Sequence, residues 1–305
     1  MAPPSGSNRD GLQQHEWHQL FVSFLQSFGF VQSTIDTCLF TLVKTAALIL
    51  IVAIWVDDIV CADACSQARK DFVAAISKRF PTEDKGDLDW ILGIRVEHNK
   101  RSHRLELHQD LYAAEVLRRV APGIGPTSRR YDSPLDPKTH LSSDQCPAPG
   151  SPEHENMAEN RNTYMSAVGA LLWLASCTRP DLTFAVHTLA RFVSNPATTH
   201  FDALQRVLAY LHTTQKRCLS YTPDTKHALC VFSDANWTDT CSTSGGVILL
   251  YGCPIHWYSR LQKSIAHSSA EAEYMAASLA ARETTFMRDA ACDLLVVFTC
   301  ATTMY

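Results

Sequence analysis

Asp57 and Asp58 stand side by side at the end of a long apolar run, Ala46-Ala-Leu-Ile-Leu-Ile-Val-Ala-Ile-Trp55-Val56. Ile59 and Val60 follow, so the pattern predicts a β-hairpin with two acids at its tip. Neighbouring side chains on a strand point to opposite faces. Adjacent carboxylates also repel, and a cation relieves that repulsion. Magnesium takes carboxylate and phosphate oxygens, and paired ions clamp a phosphoryl group during displacement. The chemistry this pair suits is therefore phosphoryl transfer. An ordinary Asp-Asp turn after a buried strand explains the same residues without chemistry. The apolar run is shorter than the roughly 20 residues a membrane helix needs, and its β-branched content favours a buried strand.

Acids of the second half offer a further constellation. Asp234 ends an apolar run, Leu229-Cys-Val-Phe232, and read alone is a turn-forming residue. Glu271 and Glu273 open a long helical pattern. Ser268-x-x-Glu271 has capping-box spacing, which gives Glu271 a structural task. Glu273 falls on the helical face of Ala276, Ala277 and Ala280, whose small side chains permit close approach to a sheet.

The surrounding motifs occur in a recognisable order. Trp55-Val56-Asp57-Asp58 resembles the Tyr-x-Asp-Asp of reverse transcriptases. Asp36-Thr-Cys-Leu-Phe40, Gly86-Asp-Leu-Asp-Trp-Ile-Leu-Gly-Ile94, Thr178-Arg-Pro-Asp-Leu182, Phe232-Ser-Asp-Ala-Asn-Trp237 and Ser268-Ser-Ala-Glu-Ala-Glu-Tyr274 resemble, in sequence order, blocks of copia-type retrotransposon polyproteins. Together they cover roughly residues 10–295.

The resemblance implies a reverse transcriptase followed by a ribonuclease H domain, an α+β chain with a partial palm and thumb, a helical connection and an incomplete mixed sheet with a helix. It implies two-metal magnesium sites, with Asp57 and Asp58 as polymerase ligands and Asp234 and Glu273 as ribonuclease H ligands. Glu273-Tyr-Met-Ala276 is similar to the Glu-Leu-x-Ala of ribonucleases H, which favours Glu273 over Glu271. Implied partners are an RNA template, a DNA primer, RNA–DNA hybrid and dNTPs.

Departures from the family pattern shape the expectation for activity. Gly11-Leu-Gln-Gln14 resembles a Gly-Leu-Lys-Gln segment that a strand bearing a third polymerase carboxylate precedes in the family. Only Asp10 stands there. The third ribonuclease H carboxylate belongs on a strand after the long helix, beyond Leu294–Phe298, and Asp289 and Asp293 read as surface acids. The expectation is a segment truncated at both ends, impaired or inactive, with an open sheet edge, or a non-enzymatic remnant that binds hybrid weakly. Trp55 replaces the family's Tyr, which bears on nucleotide packing rather than on the metals.

Elements must position these groups. Residues 1–10 read as a flexible leader. Glu16–Phe28 carries an apolar helical stripe of Leu20, Phe21, Phe24, Leu25 and Phe28. Strands are expected at 38–43, 47–55 and 59–63. Gln67–Phe80 reads as a helix stopped by Pro81. Ile91–His98 and Arg104–Leu107 read as a hairpin, and Asp110–Val120 as a helix. Residues 11–121 form the expected palm end and thumb. Residues 122–160, rich in Pro, Ser, Asp and Gly, read as a linker. Helices over 163–193 and 198–214 form a connection within 161–225, with Arg179-Pro-Asp181 as a helix break and a capping Asp. Short strands at 229–232, 246–251 and 255–259 and a helix over 269–295 complete a ribonuclease H-like domain at 226–305.

Composition sets bounds. The chain has 305 residues and 46% hydrophobic content, enough for one large core or two modest ones. A net charge of −4 argues against strong non-specific nucleic-acid binding. The 11 cysteines contain no Cys-x-x-Cys pair and no Cys/His spacing that marks zinc, so they read as reduced thiols of an intracellular protein. The N-terminus lacks an apolar signal core.

Overall fold

The structure, a computed structural model, describes residues 10–44, 47–56, 58–224, 228–296, 298 and 302–305. The fold is mixed helix and sheet. Residues 1–88 and 283–300 form one compact unit, and 89–282 with 301–305 a second. The expected leader, save Asp10, lies outside the described residues, and so does Asp57.

In the first unit, α1 (Asp10–Phe28) leads to a sheet of β1 (Val31–Gln32), β2 (Leu39–Lys44), β3 (Ala47–Trp55) and β4 (Asp58–Asp63), antiparallel in that order. Then follows α2 (Ser66–Arg79). Alternate residues of β3 (Leu50, Val52, Ile54) point into the core, where Phe21 and Leu25 of α1 and Phe72 and Ile76 of α2 meet them. The expected stripe on α1 holds except at Leu20, which is exposed. α2 stops where expected: Phe80 is extended, and its amide still bonds to the Ile76 carbonyl at 2.8 Å. The following Pro81 cannot continue the helix.

The second unit has a helical core and two sheets. β5 (Trp90–Ile91), β6 (Ile94–Asn99), β7 (Arg104–His108) and β8 (Leu219–Tyr221) form one antiparallel sheet. α3 (Asp110–Val120), α4 (Pro152–Cys177), α5 (Thr183–Ala190) and α6 (Thr198–Thr214) bury Leu117, Tyr164, Leu171, Leu174, Leu189 and Leu208 against one another. α4 starts well before the expected position. Ser151 caps it by accepting from the His154 amide, Pro152 stands at its first position, and Glu153 and Glu155 face the positive end of its dipole. The Pro-rich stretch before it is not unattached: Leu135 is buried, and Ile124 and Tyr131 pack on the same core.

Between α4 and α5 the chain breaks as expected, but among the described residues Asp181 caps no helix. A 3₁₀ turn occupies Pro180–Leu182. Asp181 instead accepts two bonds from Arg179, at 2.9 and 2.8 Å, and one from the Tyr210 hydroxyl at 2.8 Å. The buried guanidinium outcompetes the backbone for the carboxylate.

β9 (Leu229–Asn236), β10 (Thr243–Leu250) and β11 (Cys253–Leu261) form an antiparallel meander, and α7 (Ser269–Asp293) follows. β12 (Thr303–Met304) then pairs in parallel with β9, giving the order β11-β10-β9-β12. The expected open edge is therefore partly covered: Tyr305 donates to the Val231 carbonyl and accepts from the Ser233 amide, and its ring stacks on Phe232.

Candidate functional site

The β3–β4 hairpin is as tight as a hairpin can be. Trp55 pairs with Asp58 across the hairpin, and Val56 follows Trp55 into the turn. Tight hairpin turns favour positive φ, and Val56 has φ +56°. A β-branched residue there is strained. Trp55 and Val56 are both largely exposed. Asp58 therefore begins β4 at an open tip, with an exposed carboxylate and no ion pair or hydrogen bond among the described residues.

Asp234 lies on β9 opposite Gly245 of β10, and is exposed. Gly246 is the next residue. Its own cross-strand partner is Tyr258, whose ring would meet an added Cβ at 2.4 Å, so only glycine fits. That close approach holds β10 and β11 together beside the strand that carries Asp234.

At the start of α7, the capping-box spacing is realised. The Glu271 amide donates to Ser268 Oγ at 3.1 Å, and the Glu271 carboxylate accepts from the His267 amide at 2.7 Å. Glu271 is thus engaged in ending the loop. Glu273 is exposed and has no such bond among the described residues. The buried stripe of α7 is Ala272, Ala276 and Ala280, and Ala277 is only half-buried. Gln262 fixes this end of the helix by donating to the Ala272 carbonyl at 2.9 Å and to Ser244 Oγ of β10 at 3.0 Å.

Asp58, Asp234 and Glu273 are hard oxygen donors of the kind magnesium takes, and none is committed elsewhere among the described residues. None of them belongs to a close group of three His, Cys, Asp or Glu among those residues. The one close cluster of three is a different set, Glu106, His108 and Cys218, whose donor atoms all lie within 4.8 Å of one another. Strand alternation puts Glu106 and His108 on one face of β7. Cys218 joins them because the β7–β8 pairing brings the head of β8 alongside. The first two were legible as an i, i+2 pair; the third follows only from tertiary pairing. Burial and then Glu106 push the Cys218 thiol up, and its S–H donates to Glu106.

Burial also raises the Cys146 and Cys177 thiols. Burial, with Asp63 nearby, pushes Cys61 up to about 11. All the described cysteines are free.

A family model described as Reverse transcriptase (RNA-dependent DNA polymerase) matches residues 9–122. The retrovirus-related Pol polyprotein from transposon TNT 1-94 of Nicotiana tabacum is 31% identical over 284 residues, which are 91% of this chain and 21% of that polyprotein. A putative transposon Ty5-1 protein of Saccharomyces cerevisiae is 30% identical over 232 residues, 74% of this chain and 71% of its own length. A secreted RxLR effector protein of Plasmopara viticola is 44% identical over 128 residues, 41% of this chain and 90% of its own. The chain thus spans about a fifth of the tobacco polyprotein. This chain belongs to the copia-type retrotransposon Pol polyproteins, as a segment that carries part of their reverse transcriptase, a family of RNA-directed DNA polymerases.

Proposed function

We propose that the segment derives from a polymerase that copies RNA into DNA and from the ribonuclease H that removes the copied RNA. In this reading residues 11–121 are the palm end and thumb, 122–160 a linker, 161–225 a connection, and 226–305 the ribonuclease H-like domain. Its partners are RNA template, DNA primer, RNA–DNA hybrid and dNTPs. The observation that carries it is the β3–β4 hairpin, which presents Asp58 with an uncommitted carboxylate at an exposed tip, inside the segment matched by the polymerase family.

Asp57 and Asp58 would hold magnesium for nucleotide addition, and Asp234 and Glu273 for hydrolysis of the RNA strand. Magnesium supplies charge neutralisation at the phosphate and a polarised water or hydroxyl. This chain's residues would contribute the oxygen ligands, and the strained backbone at Val56 would fix the direction of Asp58. The β11-β10-β9-β12 order, followed around by α7, supports the ribonuclease H reading of the second sheet.

A second reading, a segment impaired or inactive by itself, is favoured by one observation. On β12, where the resemblance asks for a third carboxylate, the residues are Thr303 and Met304. Losing one member of a catalytic unit commonly costs orders of magnitude in rate.

Both readings are tested by magnesium-dependent turnover on an RNA–DNA hybrid with a recessed DNA primer, each strand carrying its own label. The polymerase reading expects primer extension that Asp58→Asn abolishes. The ribonuclease reading expects RNA cleavage that Glu273→Gln abolishes. Extension that survives Asp58→Asn removes the polymerase assignment, and a folded chain with neither activity supports the impaired reading.

A further inference from the structure

Glu106, His108 and Cys218 form a mixed oxygen, nitrogen and sulfur donor set that includes none of the carboxylates considered above. We propose that this set is a zinc site, which ties β7 to the head of β8. It is independent of the polymerase reading.

Four features of the second unit support it. The donor atoms lie within 4.8 Å of one another. Tetrahedral zinc, with bonds of about 2.0–2.3 Å, sets its donors about 3.3–3.8 Å apart, so modest side-chain rotation closes the set. The Cys218 sulfur is already 3.3 Å from Glu106 Oε1, where its S–H donates. His108 Nε2 is shut from solvent without a hydrogen-bond partner among the described residues, 3.8 Å from Glu97 Oε2. A buried nitrogen left unbonded is costly, and a metal bond removes that cost. Finally, Glu97 and Glu106 are direct cross-strand partners. Like charges so placed repel, and a divalent cation beside them is favoured.

Arginines partly serve that last purpose now. Arg95 pairs with Glu97, and Arg104 donates to Glu106 at 2.6 Å and to Ser220 Oγ at 3.1 Å. Arg95 is the cross-strand partner of His108, but neither arginine has a side-chain hydrogen bond to His108 or Cys218 among the described residues. Arg104 is half-exposed and can leave Glu106 for water. The donor set matches the three-ligand pattern of zinc sites that keep a fourth position for water. On binding, the Cys218 S–H bond breaks, its proton goes to buffer, and zinc bonds form to sulfur, to an imidazole nitrogen and to a carboxylate oxygen. No electron is transferred.

The test uses the full chain with Co²⁺ as a spectroscopic probe and Zn²⁺ as competitor. Expected is one Co²⁺ per chain, with a near-ultraviolet sulfur-to-cobalt band that Zn²⁺ abolishes. Cys218→Ser removes the band. His108→Asn and Glu106→Gln each weaken Zn²⁺ binding at least tenfold, and Arg104→Gln strengthens it by freeing Glu106. Calorimetry in two buffers reads about one proton released at neutral pH. A band that survives Cys218→Ser places the ion on other thiols and overturns the proposal, as does affinity indifferent to His108→Asn and Glu106→Gln. Circular dichroism of each apo variant separates misfolding from ligand loss. If Cys218→Ser fails to fold, Cys218→Ala replaces it, and the His108 and Glu106 variants decide alone.

Discussion

Asp293, near the end of α7, accepts a 2.6 Å hydrogen bond from Ser33 Oγ, 260 residues earlier in the chain. Its carboxylate also accepts from the Thr34 amide at 2.8 Å and the Ile35 amide at 3.3 Å. The residue is therefore no idle surface acid: it pins the loop between β1 and β2. The Ser33 hydroxyl and then the Thr34 amide hold its carboxyl below the usual carboxylate range. A lowered folded-state pKa makes the contribution complete above the unfolded value of about 3.9 and removes it as pH falls through the folded value. The protection factors of the Thr34 and Ile35 amides should fall as pH drops through the folded value, and Asp293→Asn should lower them already at neutral pH. Unchanged exchange in the variant would rule out this pin.

Asp181 should be the most costly acid to neutralise. Arg179 is only 2% exposed, and it donates to Asp181, to the Thr214 carbonyl and to Thr214 Oγ1. Burial alone would raise the Asp181 carboxyl, but Arg179, Tyr210 and Arg217 together outweigh it and the net direction is down. Asp181→Asn leaves a buried guanidinium without its counter-charge, a loss of about 3 kcal/mol. Urea denaturation at pH 7 measures it, and the deficit should shrink as pH falls and the wild-type carboxylate itself protonates.

Gly246 and Gly245 make a paired test of the β10–β11 contact. At Gly246 an added Cβ lies 2.4 Å from the Tyr258 ring, whereas at Gly245 the nearest atom is the Asp234 carbonyl at 3.9 Å. Gly246→Ala should cost about 1–3 kcal/mol by overpacking, with Gly245→Ala close to neutral. Thermal unfolding of the two variants should separate by several degrees.

Val56 carries backbone strain that a glycine would relieve. Its φ of +56° lies in the left-handed region, at a cost of order 1 kcal/mol or more for a β-branched side chain. Val56→Gly should raise the unfolding midpoint. If the strain aims Asp58, the same change lowers primer extension while stability rises. A drop in stability would mean that the Val56 side chain contributes packing the turn needs.

His200 predicts a second acid-sensitive point. Its Nδ1 accepts from the Ala197 amide at 2.9 Å, and its ring stacks on Phe192 at 3.9 Å. Burial lowers its pKa, so the neutral ring is the folded form. Stability should decline as pH falls below the unfolded value of about 6.5, and His200→Asn, which keeps an acceptor, should flatten that dependence.

Much was decided by local sequence. The β-branched apolar run favoured a strand, and in β3 alternation fixes Leu50, Val52 and Ile54 as the residues that face the core. Gln67–Phe80 ends at Pro81 because proline has no amide to donate. Ser268-x-x-Glu271 caps α7 because both partners lie within one helical turn. The ordered motifs also named the family. Chain folding alone decided the rest. It chose Arg179 for Asp181 over a helix cap, seated Tyr131 and Leu135 on the helical core, returned Thr303–Tyr305 to the edge of β9, and pinned Ser33 to Asp293. It also drew Cys218 to Glu106 and His108. Each of these joins groups distant in sequence, where no periodicity registers the partner, and the winner is set by burial and by which charges and hydrogen bonds must be satisfied together.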